Sequence, residues 1–176
     1  MHRTSRLVQW LSGWVFLVGI IGLTMAAQAG DGLSAVYYNA ANLAQAQAMQ
    51  GTPNFRIDAN VNFNWGTAAP MTGVNADNYA VRWAGRVQAS SSTTTTYAFR
   101  TYTDEGVRLW VDGVKIVDNW TSHTAAYNTG TQSFTWAAGE MHQIRMEYYE
   151  GTGSAVAQLE WSVNGAAYVA IPQTSL

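Results

Sequence analysis

Three carboxylates in this sequence stand where turns could present them to a ligand. Asp104 and Glu105 are adjacent in the polar break Asp104-Glu105-Gly106, and Glu150 opens the glycine-rich segment Glu150-Gly151-Thr152-Gly153-Ser154. Such groups can accept the backbone N–H bonds of their own turn, or they can hold a metal or other ligand. A pair of them about 5–9 Å apart can also hydrolyse a glycoside, a role open to Asp104 and Glu150. Near them in sequence are an indole, Trp120, and a lone histidine, His123, in the polar segment 121–131. Other chemistries lack their residues. The sequence has no nucleophile elbow, no zinc-type histidine spacing and no glycine-rich phosphate loop leading into a helix.

These residues need a scaffold, and the hydrophobic pattern describes it. Tyr97 to Trp120 reads as three short strands with two polar turns. Tyr97, Phe99 and Thr101 share one face, as do Val107, Leu109 and Val111. Asp112-Gly113 is a strong hairpin signal, because a type I′ turn needs positive φ at both central residues. In the return strand, Val114, Ile116 and Asp118 fall on one face, with Lys115 and Val117 on the other. Further strands are predicted over 32–39, 61–65, 78–89, 132–136, 142–149, 155–161 and 168–171, with Asn164-Gly165 as another hairpin turn. Residues 42–50 form a short helix or an irregular loop, and 67–76 and 90–96 are loops. Many short strands separated by Gly, Asn and Asp turns indicate one all-β domain, an antiparallel sandwich or barrel.

Composition narrows the function. Residues 1–29 read as a secretory signal peptide. Arg3 and Arg6 precede a largely apolar run, and Ala27-Gln28-Ala29 supplies small residues for cleavage. The run is short for a membrane span, which takes about 20 residues; the alternative is an uncleaved anchor. Residues 30–176 then form the domain, with seven basic and eleven acidic residues, a formal charge of −4. That balance excludes nucleic acid as a partner, and there is no basic run for a membrane surface. Cysteine is absent, so the fold rests on its core. Six tryptophans remain after residue 29, to be divided between the core and sugar-stacking faces.

Taken in order, several stretches resemble one family. They are GLSAVYYN from Gly32, VNFNW from Val61, YAVRWAGRV from Tyr79, YAFRTYTDEGVRLWVDGVKIVDNW from Tyr97, AAGEMHQIRMEYYEGTGSAVAQLEW from Ala137 and IPQTSL from Ile171. Together they resemble the PA-fourteen domain, a β-barrel or sandwich module of adhesins, toxins, glycosidases and bacterial surface proteins. The resemblance implies carbohydrate binding without catalysis. Some sugar-binding members hold calcium on two adjacent aspartates, and the ion coordinates sugar hydroxyls. Asp104 and Glu105 match that pair, with Glu in place of the second Asp, and the partner loop matches Glu150 to Ser154 without its usual Asn. Asp104, Glu105 and Glu150 are the implied calcium ligands.

The resulting expectation is a secreted carbohydrate-binding module. Its glycan site lies at one end of the barrel, formed by Asp104, Glu105, Glu150, Gly151 and Ser154, and flanked by Trp120 and His123. The alternatives are a structural or adhesive module that binds other proteins at the cell surface or in a matrix, and a small glycoside hydrolase.

Overall fold

The computed structural model describes residues 30–89 and 92–176. The expected signal peptide, residues 1–29, lies outside the described residues, as do Ser90 and Ser91. Among the described residues no helix is long and apolar enough to cross a membrane.

Eleven strands form two antiparallel sheets. They are β1 (Leu33–Asn39), β2 (Thr52–Asp58), β3 (Asn62–Gly66), β4 (Tyr79–Gln88), β5 (Thr95–Thr103), β6 (Val107–Val111), β7 (Val114–Asn119), β8 (Ala126–Trp136), β9 (Met141–Glu150), β10 (Ala155–Val163) and β11 (Val169–Ala170). One sheet runs β2-β1-β4-β9-β6-β7, and the other runs β11-β10-β5-β8, with β3 also on β10. The sheets stack as a sandwich and do not close into a barrel. A five-residue helix, α1 (Leu43–Gln47), starts at Asn42, whose side chain caps the Gln45 N–H.

The alternation read from the sequence is the alternation that builds the core. Tyr79, Val81 and Trp83 of β4 face Ile144, Met146 and Tyr148 of β9. They pack against Tyr97 and Phe99 of β5 and Leu159 and Trp161 of β10. The Asp112-Gly113 turn has φ of 48° and 78°, as a type I′ hairpin requires. The Asp112 carboxylate also ties this hairpin to β9, accepting the Gln143 N–H at 2.9 Å and meeting His142 Nδ1 at 2.7 Å.

Three elements depart from the expected pattern. Strand β2 was not foreseen. Its apolar residues, Phe55 and Ile57, face solvent at 70% and 63% exposure, and Asp58 points inward. As an edge strand it tolerates Pro53. In β7 a bulge opposite Leu109/Trp110 puts both Ile116 and Val117 into the core and leaves Val114 exposed, so the strict two-face division of that strand fails. Strand β8 begins at Ala126, six residues before the predicted start, within the polar segment.

Asp58 anchors a buried polar network in the core. Its Oδ2 accepts the Tyr37 hydroxyl and the Trp83 indole N–H, both at 2.7 Å. Its Oδ1 accepts the Arg56 Nε–H. The Arg56 guanidinium also bonds the Tyr37 hydroxyl at 2.6 Å and the Pro70 carbonyl at 3.1 Å.

Candidate functional site

The two acidic turns meet because the chain changes sheets between them. Strand β5 belongs to one sheet and β6 to the other, so Asp104-Glu105-Gly106 is the crossing between layers. The turn at 151–154 makes the same crossing from β9 to β10. Since β6 pairs with β9 (Val107 opposite Tyr148) and β5 with β10 (Thr103 opposite Ala157), both crossings lie at one end of the sandwich. Backbone bonds fix them there. Asp104 N–H donates to Val156 O at 3.1 Å, Glu105 N–H to His123 O at 2.8 Å and Tyr149 N–H to Gly106 O at 3.0 Å. Asp77 joins from the loop before β4, accepting the Gly153 N–H at 3.2 Å. Glu105 holds φ of 68°, a left-handed conformation that costs a non-glycine residue about 1–2 kcal/mol.

The side chains divide into two groups. A surface depression of about 250 Å³ is lined by Asp104 and Ser154 together with Asn64, Gly66, Tyr102 and Ala125. Tyr102 packs at a tilt of 43° against exposed Tyr127, with ring centroids 4.6 Å apart. Glu105 and Glu150 turn inward instead. Glu105 lies against Gly151, where an added Cβ would come within 3.1 Å of its Oε1. Glu150 is fully buried; its Oε2 accepts the Tyr148 hydroxyl at 2.5 Å. Glu105 Oε2 and Glu150 Oε1 are buried without a hydrogen-bond partner.

Burial raises the Glu150 pKa from 4.5 to about 7. The Tyr148 hydrogen bond works against that shift, and the charges of Glu105, Asp104 and Asp77 add to it. Burial also holds the Tyr148 and Tyr79 hydroxyls well above their ordinary range. A carboxyl with a raised folded-state pKa favours the folded state while protonated. Its contribution is complete below about pH 4.5 and is lost as pH rises through about 7. Glu150→Gln removes this titration. Relative to the parent, the variant should gain about 2–3 kcal/mol between pH 5 and pH 8, read from urea unfolding at both pH values. An equal difference at the two pH values would contradict this reading.

Among the described residues no three His, Asp or Glu side chains converge closely enough to hold a metal ion. Asp104 opens to the depression while Glu105 and Glu150 lie behind it. Glu150 is therefore also out of reach as the second carboxylate of a hydrolytic pair. Trp120 is committed to packing. Its N–H donates to Gln47 O at 3.1 Å, its ring meets Tyr149 edge-on at 4.9 Å, and the Arg108 guanidinium lies 4.3 Å over it. His123 touches the crossing turn through its carbonyl. Its ring Nδ1 is 2.8 Å from Thr124 O, and Nε2 is buried without a partner.

Sequence reasoning missed Asn64, Tyr102, Ala125 and Asp77. Tyr102 was within reach, since it precedes Asp104 by two residues on the outward side of the same alternation. Asn64 arrives only through the pairing of β3 with β10, where it sits opposite Val156, and no local signal announces that.

Residues 30–175 match the family described as the PA14 domain. The chain is 38% identical over 147 residues to an anti-sigma-I factor, RsgI3, of Acetivibrio thermocellus. That match covers 84% of this chain and 21% of the relative. A solved anti-sigma factor domain-containing protein is 36% identical with a TM-score of 0.72, covering 82% of this chain and 47% of that one. The PA14 sugar-binding domain from an RTX adhesin shares the fold, with a TM-score of 0.61 at 21% identity over 81% of this chain and 96% of that chain. The chain thus spans about a fifth of the curated relative and about half of the solved anti-sigma structure.

Proposed function

The chain belongs to the PA14 domain family, and from that premise we propose that it is a non-catalytic carbohydrate-binding module working outside the cell. The observation that carries the reading is the depression at the crossing end. It brings together a carboxylate (Asp104), a hydroxyl (Ser154), an amide (Asn64) and a partly exposed aromatic ring (Tyr102). These groups hydrogen-bond sugar hydroxyls and stack on the apolar face of a pyranose, the mix of few polar groups and an aromatic wall that ligand sites use. The sugar-binding RTX adhesin domain with the same fold supports the choice of ligand class. Glycan-array screening followed by titration tests the site. Asp104→Ala should weaken binding of the best glycan at least tenfold, about 1.4 kcal/mol. Unchanged affinity would remove Asp104 from the site.

A calcium-assisted form of this site would draw on Asp104, Glu105 and Glu150, an all-oxygen set of the kind calcium takes. It requires their carboxylates to close on a common point, which they do not do in this arrangement. If they close, titrated calcium raises the melting temperature by binding the native state. An unmoved melting temperature with no heat of binding leaves direct sugar contact.

One observation favours the alternative of a protein-binding adhesive module. Phe55 and Ile57 project from the edge strand β2, far more exposed than core residues of their type, and an open edge with apolar side chains is a pairing surface.

A further inference from the structure

The outer face of the six-stranded sheet carries a ladder of paired charges. Arg82 bonds Glu147 at 2.9 Å, Arg108 bonds Asp118 at 3.2 Å, and Lys115 also reaches Asp118. Elsewhere Arg56 pairs with Asp58, and Arg100 with Glu160 at 2.6 Å. Five of the seven Lys and Arg residues among the described residues thus have a carboxylate partner. The two that do not, Arg86 and Arg145, line the same groove.

That groove holds about 420 Å³, more than the depression beside Asp104. Its shape follows from strand pairing. Ala84 lies opposite Arg145, Arg86 opposite Gln143, and Arg145 opposite Trp110. Small residues, Ala84 and Gly85, therefore form a floor between long side chains. Gly85 adds no side chain to this face; a Cβ there would point to the core, 2.7 Å from the end of the Leu33 side chain. The Arg145 guanidinium lies over the Trp110 ring, 3.9 Å from its centroid. Stacking covers its face and leaves its in-plane N–H groups free to bond an anion. No acidic residue lines the groove. Asp112, in the neighbouring hairpin turn, has both its carboxylate oxygens engaged by Gln143 N–H and His142.

We infer that this groove is a second glycan subsite that takes the carboxylate of a uronic-acid sugar. The inference rests on the carbohydrate reading given above and extends it to a ligand class. The two guanidiniums line one groove from the adjacent strands β4 and β9, and there they offer a carboxylate charge-assisted hydrogen bonds. The floor accepts a sugar ring lying on the sheet, and the Gln143 amide serves its hydroxyls. The volume falls within the roughly 300–1,000 Å³ typical of small-ligand sites. A negatively charged domain that leaves only these two cations unpaired, side by side, presents a local positive site to an acidic polysaccharide.

Calorimetric titration of the folded protein with a uronic-acid trisaccharide, its methyl ester and a neutral trisaccharide tests this. The acid should bind at least tenfold more tightly than its ester and weaken as salt rises, since exposed charges are screened. Arg86→Gln/Arg145→Gln should lose at least tenfold in affinity for the acid with an unchanged melting temperature. Acid and ester binding alike, or acid binding that survives the double arginine variant, overturns the inference. If neutral glycans still bind at the Asp104 end in that case, the carbohydrate reading stands without it. If no glycan binds and polyglutamate or sulfate binds in an arginine-dependent way, the groove is an anion site and the sugar assignment is overturned.

Discussion

The Asp58→Ala variant should melt on the order of 10 °C below the parent, a loss of about 3–5 kcal/mol for breaking a buried ion pair from one side. The cause is the number of donors stranded at once. Tyr37 and Trp83 are fully buried, and both give their polar hydrogen to Asp58. The Arg56 guanidinium, stacked 4.6 Å over the Tyr37 ring, would keep its charge without the carboxylate that balances it. Each buried donor left unsatisfied costs about 1–3 kcal/mol. Asp58→Asn keeps the shape and one acceptor but adds an N–H₂ group facing donors, so its loss should fall between parent and Ala. Thermal unfolding monitored by near-UV circular dichroism gives the values. A loss below about 1 kcal/mol for Asp58→Ala would contradict the network.

Gly106→Ala should cost about 2–3 kcal/mol, the upper part of the range for overpacking a filled core. An added Cβ would lie 2.1 Å from the Tyr149 ring. That ring is fully buried, with Trp120 edge-on at 4.9 Å and Ser122 Oγ 3.4 Å from its hydroxyl, so it has little room to yield. The alternative is movement of the crossing turn, which carries Asp104. The variant should therefore lose glycan affinity as well as stability. Gly113→Ala is the control. It has φ of 78° and open space around the position, so it carries backbone strain of about 1–2 kcal/mol and leaves neutral-glycan binding at the Asp104 end unchanged. Equal stability losses for the two variants would show that the contact with Tyr149 is not the cause.

The sequence pattern did not single out Asp58 and marked Gly106 only as part of a polar break, and the reasons are physical. Alternation is readable where apolar residues face the core, as in Tyr79-Val81-Trp83 and Ile144-Met146-Tyr148, and those strands stand where they were expected. Strand β2 inverts that rule. Phe55 and Ile57 face outward while Arg56 and Asp58 face in, because their charges are paired and hydrogen-bonded inside. The early part of β8 carries Asn128 and Gly130 inward and lacks an apolar signature. A bulge in β7 changes which side chains point inward without changing local composition. The division of Tyr97–Trp120 between two sheets could not be read either, since a turn within a sheet and a crossing between sheets use the same polar residues.

The site was legible in part. Asp104, Glu105, Glu150, Gly151 and Ser154 were expected at one end, and two turns do bring them there. Their orientations were not legible. Asp104 and Ser154 open to the depression, Glu105 and Glu150 point inward, and the Trp120 indole is engaged by Tyr149, Arg108 and Gln47. Side-chain direction at a left-handed residue such as Glu105 depends on the backbone at that turn, which residue types alone do not give.

The most direct test of the central claim is amide chemical-shift mapping on ¹⁵N-labelled protein during titration with the best neutral glycan from an array. Saturable shifts are expected at Asn64, Tyr102, Asp104 and Ser154, with the rest of the sandwich unmoved. Shifts centred instead on the β2 edge around Phe55 and Ile57, or no saturable shifts with any glycan, would contradict it.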